Sequence, residues 1–178
     1  VLCVVNRRKT AQELYAALPD SGSYCLTTLL CAADRKRQID EIRARLDAGM
    51  PCRVVSTSLI EAGVDVDFPV AYREQCGLDS LLQTAGRCNR EGRNEPADSL
   101  VYRFRLDGQA APQMLAQNIS AMNYAARRHA DLSSPEAIKA YFNELFNLCS
   151  PDLLDKKHIL SMIENGVSGC MLPFAQVA

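Results

Sequence analysis

Apolar positions along residues 1–104 alternate between the period that is typical of strands and the period that is typical of helices. Residues 1–5 form an unbroken apolar run, which predicts a strand buried on both faces of a parallel sheet. Further strands are predicted at 24–30, 52–55, 70–72 and 100–104. Because helical patterns separate these strands, we predict an α/β fold with an open, mostly parallel sheet and helices on both of its faces.

Polar residues at capping positions indicate where the helices between these strands begin. Thr10 and Glu13 form a capping-box pattern at the start of the first helix. Asp34 is placed to cap the second helix. Asp79 or Ser80 is placed to cap the third helix, which we predict over residues 78–88.

The pattern changes from about Pro112, after which strand-like runs disappear. Helices are predicted near 112–130, 135–148 and 152–164. Ser134 is a suitable cap for the second of these, with Pro135 at the first helical position. We therefore divide the chain into an α/β domain at 1–108 and, at 109–178, a helical extension that ends in a truncated connector to a further domain.

One helical stripe in the extension is a candidate docking surface. Its apolar residues recur at helical spacing and are Ile138, Tyr141, Phe142, Leu145 and Phe146. A stripe of this kind usually packs back on its own domain, and that is the role we expect.

Charge and cysteine content argue against a strongly basic nucleic-acid-binding protein and against a metal-binding protein. The 20 basic and 21 acidic side chains leave a net charge of -1, so nucleic-acid binding would have to come from local basic patches. None of the 8 cysteines forms a Cys-x-x-Cys pair, and the chain has 2 histidines, so we expect no metal site.

The apolar runs of the sequence fit neither a membrane span nor a secretory signal. No stretch approaches the ~18 consecutive apolar residues that a membrane span requires, and nothing resembles a secretory signal. We therefore expect a cytoplasmic protein without a membrane partner. The chain opens at Val1 inside a predicted strand, and we expect it to be a piece of a longer protein.

The strongest chemical signal is the block Gln-x-x-Gly-Arg-x-x-Arg, which begins at Gln83. Arg87 and Arg90 lie three positions apart, so on a helix they would project from one face and converge on one anion. Their guanidinium groups are permanently charged, and the planar fork of donors suits phosphate oxygens. An isolated Arg-x-x-Arg is also typical of a solvated basic helix end.

A second block follows the predicted strand at 52–55. Ser56, Thr57 and Ser58 offer hydroxyls and backbone amides where the strand ends, which is a place that can hold a nucleic-acid phosphate. Gly63 and Asp65 follow, and a carboxylate there can accept a ribose hydroxyl. Taken alone, the hydroxyl residues also fit a simple turn or helix cap.

A third block follows the first predicted strand. Asn6 and Arg8 come where this strand leads into a helix start, whose unpaired amides bind anions. The basic clusters 7–9 and 35–37 also follow predicted strands. Since open α/β sheets bind ligands at the carboxyl ends of their strands, we expect the positive charge to be concentrated on that rim.

Together the blocks at 4–15, 56–69 and 83–92 resemble the second RecA-like motor domain of superfamily-two helicases. Within that superfamily they are most similar to the CRISPR-associated helicase-nuclease of type I systems. The resemblance is good over residues 1–105. Arg7 and Asp34 depart from the family pattern, which tends to carry a small hydroxyl residue and His at these positions.

The resemblance implies roles for individual residues. Arg90 would be an arginine finger that reaches the γ-phosphate, with Arg87 beside it. The residues expected to border the nucleotide are Gly63, Asp65 and Gln83. Those expected to grip the backbone of single-stranded DNA are Ser56, Thr57, Asn6 and Arg8.

The resemblance also implies partners. ATP and Mg²⁺ would be bound mainly by the first RecA-like domain of the parent chain, and we expect no cofactor and no ATPase activity in this piece alone. The parent would also carry an HD nuclease domain and would be recruited by an RNA-guided surveillance complex.

Two alternatives stay open on the sequence. The domain could belong to another superfamily-two helicase that acts on RNA or in DNA repair. In the other alternative, the chain is a protein-docking module that uses the helices after residue 109.

Overall fold

A five-stranded parallel sheet forms the centre of the chain. A computed structural model describes residues 1–61, 63–149 and 159. The strands are β1 (Leu2–Val4), β2 (Ser23–Leu26), β3 (Arg53–Ser56), β4 (Ala71–Glu74) and β5 (Val101–Phe104). The helices are α1 (Arg8–Ala16), α2 (Ala32–Asp47), α3 (Leu78–Ala85), α4 (Ala116–Ala126) and α5 (Pro135–Leu148). Single-turn helices lie at Ser58–Ile60, Pro96–Asp98 and Gln113–Leu115.

The strand order is β2-β3-β1-β4-β5, and every neighbouring pair runs parallel. Val4 of the central strand lies opposite Ser56 on one side and Arg73 on the other. The carboxyl ends of β1, β3 and β4 therefore meet at one edge of the sheet. This topology confirms the predicted α/β fold.

Apolar side chains cover both faces of the sheet. On one face Val4, Leu26 and Val54 pack with Ile42 of α2, and on the other Val5 and Val55 pack with α1. These residues are at most 3% exposed. Burial on both faces explains why the strands appear in the sequence as continuous apolar runs.

The helical extension has its own apolar cluster, which is shared with α3. Tyr141 of α5 is fully buried with Met122 of α4 and Leu78 of α3. The expected packing of the stripe on the domain is confirmed for Tyr141, and also for Ile138 and Leu145, which lie against this cluster. The other two members of the stripe, Phe142 and Phe146, are exposed.

Some predicted ends and caps are wrong. β2 stops at Leu26 because the Thr27 hydroxyl accepts a hydrogen bond from the amide of Leu29, which turns the chain. Thr10 and Glu13 do not start α1, which begins at Arg8 and buries Thr10 in its first turn.

Two further caps differ from the prediction. Cys31 caps α2 through its sulfur, which accepts from the amide of Asp34, so Asp34 lies in the first turn. Gly77 occupies the N-cap of α3 in place of Asp79 or Ser80. The cap of α5 by Ser134, with Pro135 following it, is confirmed.

The predicted helix near 152–164 and the connector that follows it lie outside the described residues, apart from Ile159. Within the described part of the chain, no helix has both the length and the apolar character needed to cross a membrane.

Candidate functional site

Four of the candidate residues lie where β1 and β3 end. Asn6 and Arg8 follow β1, Ser56 is the last residue of β3, and Thr57 follows it. The amide of Val5 donates to the Ser56 carbonyl at 2.9 Å. The parallel register therefore brings these four positions to the same edge, as the strand pattern predicts.

The four side chains differ in how accessible they are. Ser56 is fully buried, and its hydroxyl lies 2.9 Å from the Leu26 carbonyl, to which it can donate. Thr57 is 8% exposed, whereas Arg8 is exposed in the first turn of α1. Asn6 is half-buried and donates to the carbonyl of Gln75. Of the four side chains, that of Arg8 is therefore the exposed one.

Ion pairs reduce the positive charge of the neighbouring basic clusters. The Arg37 guanidinium is 2.8 Å from the Glu41 carboxylate and 3.6 Å from that of Asp34. The Lys9 ammonium is 3.8 Å from the Glu13 carboxylate, and Arg7 donates to the Ala110 carbonyl. Within the described part of the chain, the exposed guanidinium of Arg8 forms no such ion pair.

The segment after β3 carries Gly63 and Asp65 away from this edge. Gly63 has a φ of +71°, a conformation that favours glycine. Val64, Val66 and Phe68 are then buried in the sheet core, and Asp65 between them is exposed. Asp65 therefore lies on the flank of the domain, on the segment that runs back towards the start of β4.

Arg87 turns inward after the end of α3. Its guanidinium donates to the backbone carbonyls of Ile60, Glu61 and Gly86 at 3.2, 2.9 and 3.1 Å. This corrects the predicted geometry, because α3 ends at Ala85 and Arg87 lies beyond the helix. The two arginines are therefore presented by a loop instead of by one helical face.

Arg90 faces outward on the same flank. Its side chain is 46% exposed and pairs with the carboxylate of Asp65, which is 70% exposed. The Asp65 carbonyl also accepts from the guanidinium Nε of Arg43 at 2.7 Å. The structure thus brings Arg90 and Asp65 together, while Gln83 lies on an exposed position of α3.

The carboxylate of Asp67 holds the loop that presents Arg90. It accepts hydrogen bonds from the backbone amides of Arg90 and Glu91, at 2.7 and 3.3 Å. Asn89 has a φ of +48°, which asparagine tolerates better than most residues, and it exchanges two hydrogen bonds with the backbone of Asn94. These contacts fix the loop at both ends.

Three residues of the site escaped the sequence interpretation, namely Glu61, Asp67 and Arg73. Each stands inside or beside a quoted block, but their roles depend on tertiary contacts. Glu61 and Arg73 form a buried ion pair whose side chains are 6% and 3% exposed. Burial raises the pKa of the Glu61 carboxyl, against the lowering effect of Arg73. The available signal for Arg73 was the pair of opposite charges, Arg73 and Glu74, at the end of a strand.

The donors of the site suit a phosphate and a ribose more than a metal ion. Guanidinium groups recognise phosphate oxygens, and an exposed carboxylate can accept a ribose hydroxyl. Among residues 1–61, 63–149 and 159, no group of three or more His, Cys, Asp or Glu side chains is placed to hold a metal ion.

Comparisons with known proteins identify the family. A family model described as "CRISPR-associated nuclease/helicase Cas3, C-terminal" matches residues 1–93. The chain belongs to this family. Membership in the Cas3 family decides between the two helicase interpretations in favour of the CRISPR-associated branch.

Relatives of known name agree with this assignment. The CRISPR-associated nuclease/helicase Cas3 of Methanothermobacter thermautotrophicus is 36% identical over 99 residues, which are 55% of this chain and 12% of the relative. The CRISPR-associated helicase Cas3 of Thermoproteus tenax is 21% identical over 147 residues, which are 82% of this chain and 26% of the relative. The chain therefore spans a minor part of the length of these relatives.

Solved structures show the same fold. The crystal structure of T. fusca Cas3 matches with a TM-score of 0.61 and 18% identity, over 90% of this chain and 22% of that protein. A chain of a CRISPR RNA-guided surveillance complex in a pre-nicking state matches with a TM-score of 0.55 and 17% identity, over 93% of this chain and 23% of that chain.

Proposed function

We propose that this chain is the second motor domain of an ATP-dependent single-stranded DNA translocase or helicase, coupled to a nuclease in type I CRISPR interference. Membership in the Cas3 family supports the general assignment. The observation that carries the specific proposal is the exposed Arg90–Asp65 pair beside the anchored guanidinium of Arg87. An ion pair between exposed groups is weak, so Arg90 can exchange its carboxylate partner for a phosphate.

The two arginines have different tasks in this proposal. Arg90 is the finger that leaves Asp65 and contacts the transferring phosphoryl group, and Arg87 supplies a fixed positive charge behind it. Asp65, once released, is free to accept a ribose hydroxyl, and Gly63 and Gln83 border the same nucleotide. ATP with Mg²⁺, held mainly by the first RecA-like domain, supplies the phosphoryl group whose hydrolysis drives domain movement.

The sheet edge contacts the DNA backbone. Arg8 offers an exposed cation, and Thr57 with Ser56 offers the backbone amides at the end of β3, while Asn6 lies between them and β4. Contacts to phosphates carry no base information, which is what a translocase requires. The HD nuclease domain and the surveillance complex are the further partners of the proposed parent protein.

The decisive experiment replaces Arg90 by alanine in the full-length parent. We expect ATP hydrolysis stimulated by single-stranded DNA to fall by at least about a thousandfold, because the finger stabilises charge in the transition state. ATP binding, measured by equilibrium titration, should change little.

The matched control is Arg93→Ala, which removes an exposed arginine from the same loop, where it pairs with Asp47 and Glu91. This variant should retain normal turnover. Near-normal hydrolysis by Arg90→Ala, or an equal loss in both variants, would remove Arg90 from the proposed role.

A further inference from the structure

A buried guanidinium lies between the two parts of the site. Arg73 of β4 is 2% exposed, and its Nε lies 3.0 Å from the Oε1 atom of Glu61. The Nε–H does not point along the line to that oxygen, so the pair is held by charge more than by a directed hydrogen bond. Burying two charges is costly, and replacing such a pair by apolar residues often leaves stability unchanged or raises it.

Arg73 also reaches the end of β1. Its NH1 group donates to the Oδ1 atom of Asn6 at 2.8 Å and to the Glu74 carbonyl at 3.0 Å. The backbone amide of Asn6 in turn donates to the Glu74 carboxylate at 2.7 Å. One side chain therefore fixes the position of a candidate DNA contact with a donor fork that lysine could not reproduce.

Glu61 connects Arg73 to the arginine loop. The side chain of Glu61 meets Arg73, while its backbone carbonyl accepts the NH2 group of Arg87 at 2.9 Å. The neighbouring Ile60 carbonyl accepts the Nε of Arg87 at 3.2 Å. If the turn that carries Glu61 moves, two of the acceptors that hold Arg87 move with it.

We infer that Arg73 is a positioning residue that sets the place of Arg87 by holding the turn at Glu61, and that ties this turn to Asn6 at the sheet edge. The inference rests on the proposed role of the arginine loop in ATP hydrolysis. Arg73 itself contacts neither nucleotide nor DNA. Its contribution is geometric, because a displacement of about 1 Å at a catalytic group can cost about a hundredfold in rate.

The test uses Arg73→Met in the full-length parent, alone and combined with Arg87→Lys. Arg87→Lys keeps the charge and loses the fork, so its turnover falls but stays measurable. We expect Arg73→Met to lower kcat for DNA-stimulated hydrolysis by about a hundredfold, with KM for ATP unchanged. In the double variant kcat should fall within about twofold of the lower single variant, because both changes release the same side chain.

Arg45→Met is the matched control. Arg45 is half-buried in α2 and donates to the Tyr24 hydroxyl and the Pro51 carbonyl, away from Asn6 and Glu61. It should leave kcat unchanged, and its effect should add to that of Arg87→Lys. All rates are expressed per ATP-binding site, so a loss of folded protein does not count as a loss of kcat.

A merely structural role predicts a different result. Arg73→Met would then lower the melting temperature while kcat per binding site stays normal. Alternatively, the fold-losses in kcat of Arg73→Met and Arg87→Lys would multiply in the double variant, as they do for independent changes. Either outcome overturns the inference. If Arg73→Met does not fold, Glu61→Gln takes its place, since it keeps the size of the side chain and removes the charge. Its kcat is then compared, alone and combined with Arg87→Lys, by the same criteria. Full turnover by Arg87→Lys and by Arg90→Ala would instead contradict the proposed function itself, which distinguishes that failure from a failure of the role given to Arg73.

Discussion

At the scale of single residues, the candidate site is built from arginines in contrasting surroundings. Arg90 is exposed and paired with Asp65, Arg87 is held by backbone carbonyls, and Arg73 is buried against Glu61. The sequence indicated that Arg87 and Arg90 carry the chemistry, because their block is specific. The directions in which the two side chains point could not be predicted. Arg87, for example, donates to the carbonyl of Ile60, which lies more than twenty residues earlier in the chain.

Asp67 provides a test of the loop that presents Arg90. Asp67→Ala in the full-length parent removes the acceptor of two backbone amides, so the loop should lose its fixed position. We expect kcat for ATP hydrolysis to fall about tenfold, which corresponds to about 1.4 kcal/mol and lies within the usual value of such contacts. The measurement is steady-state hydrolysis with saturating DNA.

The control for this change is Asp98→Ala, which removes an exposed carboxylate from the single-turn helix Pro96–Asp98. It should leave kcat unchanged. Equal rates for Asp67→Ala and the unaltered protein would show that the Arg90 loop keeps its place without Asp67.

Thiol reactivity gives a test of burial beside Arg73. Burial raises the pKa of the Cys76 thiol to about 11, and Cys76 is 1% exposed, whereas Cys31 is exposed. The raised pKa keeps Cys76 protonated as pH increases through 9, which is the ordinary thiol value, and the thiolate forms near pH 11.

Alkylation of the native protein at pH 8, followed by mass spectrometry, should therefore label Cys31 well before Cys76. In urea, which exposes both thiols, the two rates should become similar. Equal labelling in the native protein would mean that Cys76 is accessible.

At the scale of elements, α3 connects the helical extension to the arginine loop. The Tyr141 hydroxyl donates to the Asp79 carboxylate at 2.5 Å and accepts from Asn118 at 3.1 Å, which holds the first turn of α3. The last turn of α3 leads into Arg87. The pattern predicted α3 and its start at residue 78 correctly, but the N-cap at Gly77 was missed because Gly77 supplies no capping side chain.

Gly77 tests this packing. A Cβ atom at Gly77 would overlap the Tyr141 hydroxyl and approach Asn118, although the backbone there is of an ordinary type. We expect Gly77→Ala to lower the free energy of unfolding by about 1–3 kcal/mol through overpacking, as measured by urea denaturation.

Gly86→Ala is the control at the other end of α3. A Cβ atom there would meet the Gln83 carbonyl at 3.5 Å, which is an ordinary contact. Stability should be unchanged or slightly higher. An unaltered stability of Gly77→Ala would show that the extension can move away from α3 without cost.

At the scale of the whole molecule, the strand and helix order was predictable because short apolar runs, such as residues 1–5, alternate with helical patterns. The sheet order β2-β3-β1-β4-β5 and the separation of the candidate residues between edge and flank required the tertiary structure. Asn6, Arg8, Ser56 and Thr57 lie at the carboxyl edge of the sheet, whereas Asp65 lies on the flank.

The isolated chain tests the proposed division of labour. Because the proposed triphosphate and metal contacts belong mainly to the first motor domain, we expect this chain alone to show no ATP hydrolysis with or without single-stranded DNA. A sensitive phosphate-release assay on the purified chain measures this. Turnover that disappears in Arg90→Ala would contradict the expectation, since that loss would exclude a contaminating enzyme.

The three acceptors of Arg87 are all uncharged carbonyls, so they do not neutralise its positive charge. A cation held by neutral dipoles keeps its full formal charge, whereas Arg90 is cancelled by its carboxylate until a stronger anion arrives. In the proposed role, the uncompensated charge of Arg87 therefore attracts a polyanion such as a triphosphate even in the resting state. Capture of such a ligand should consequently weaken as ionic strength increases.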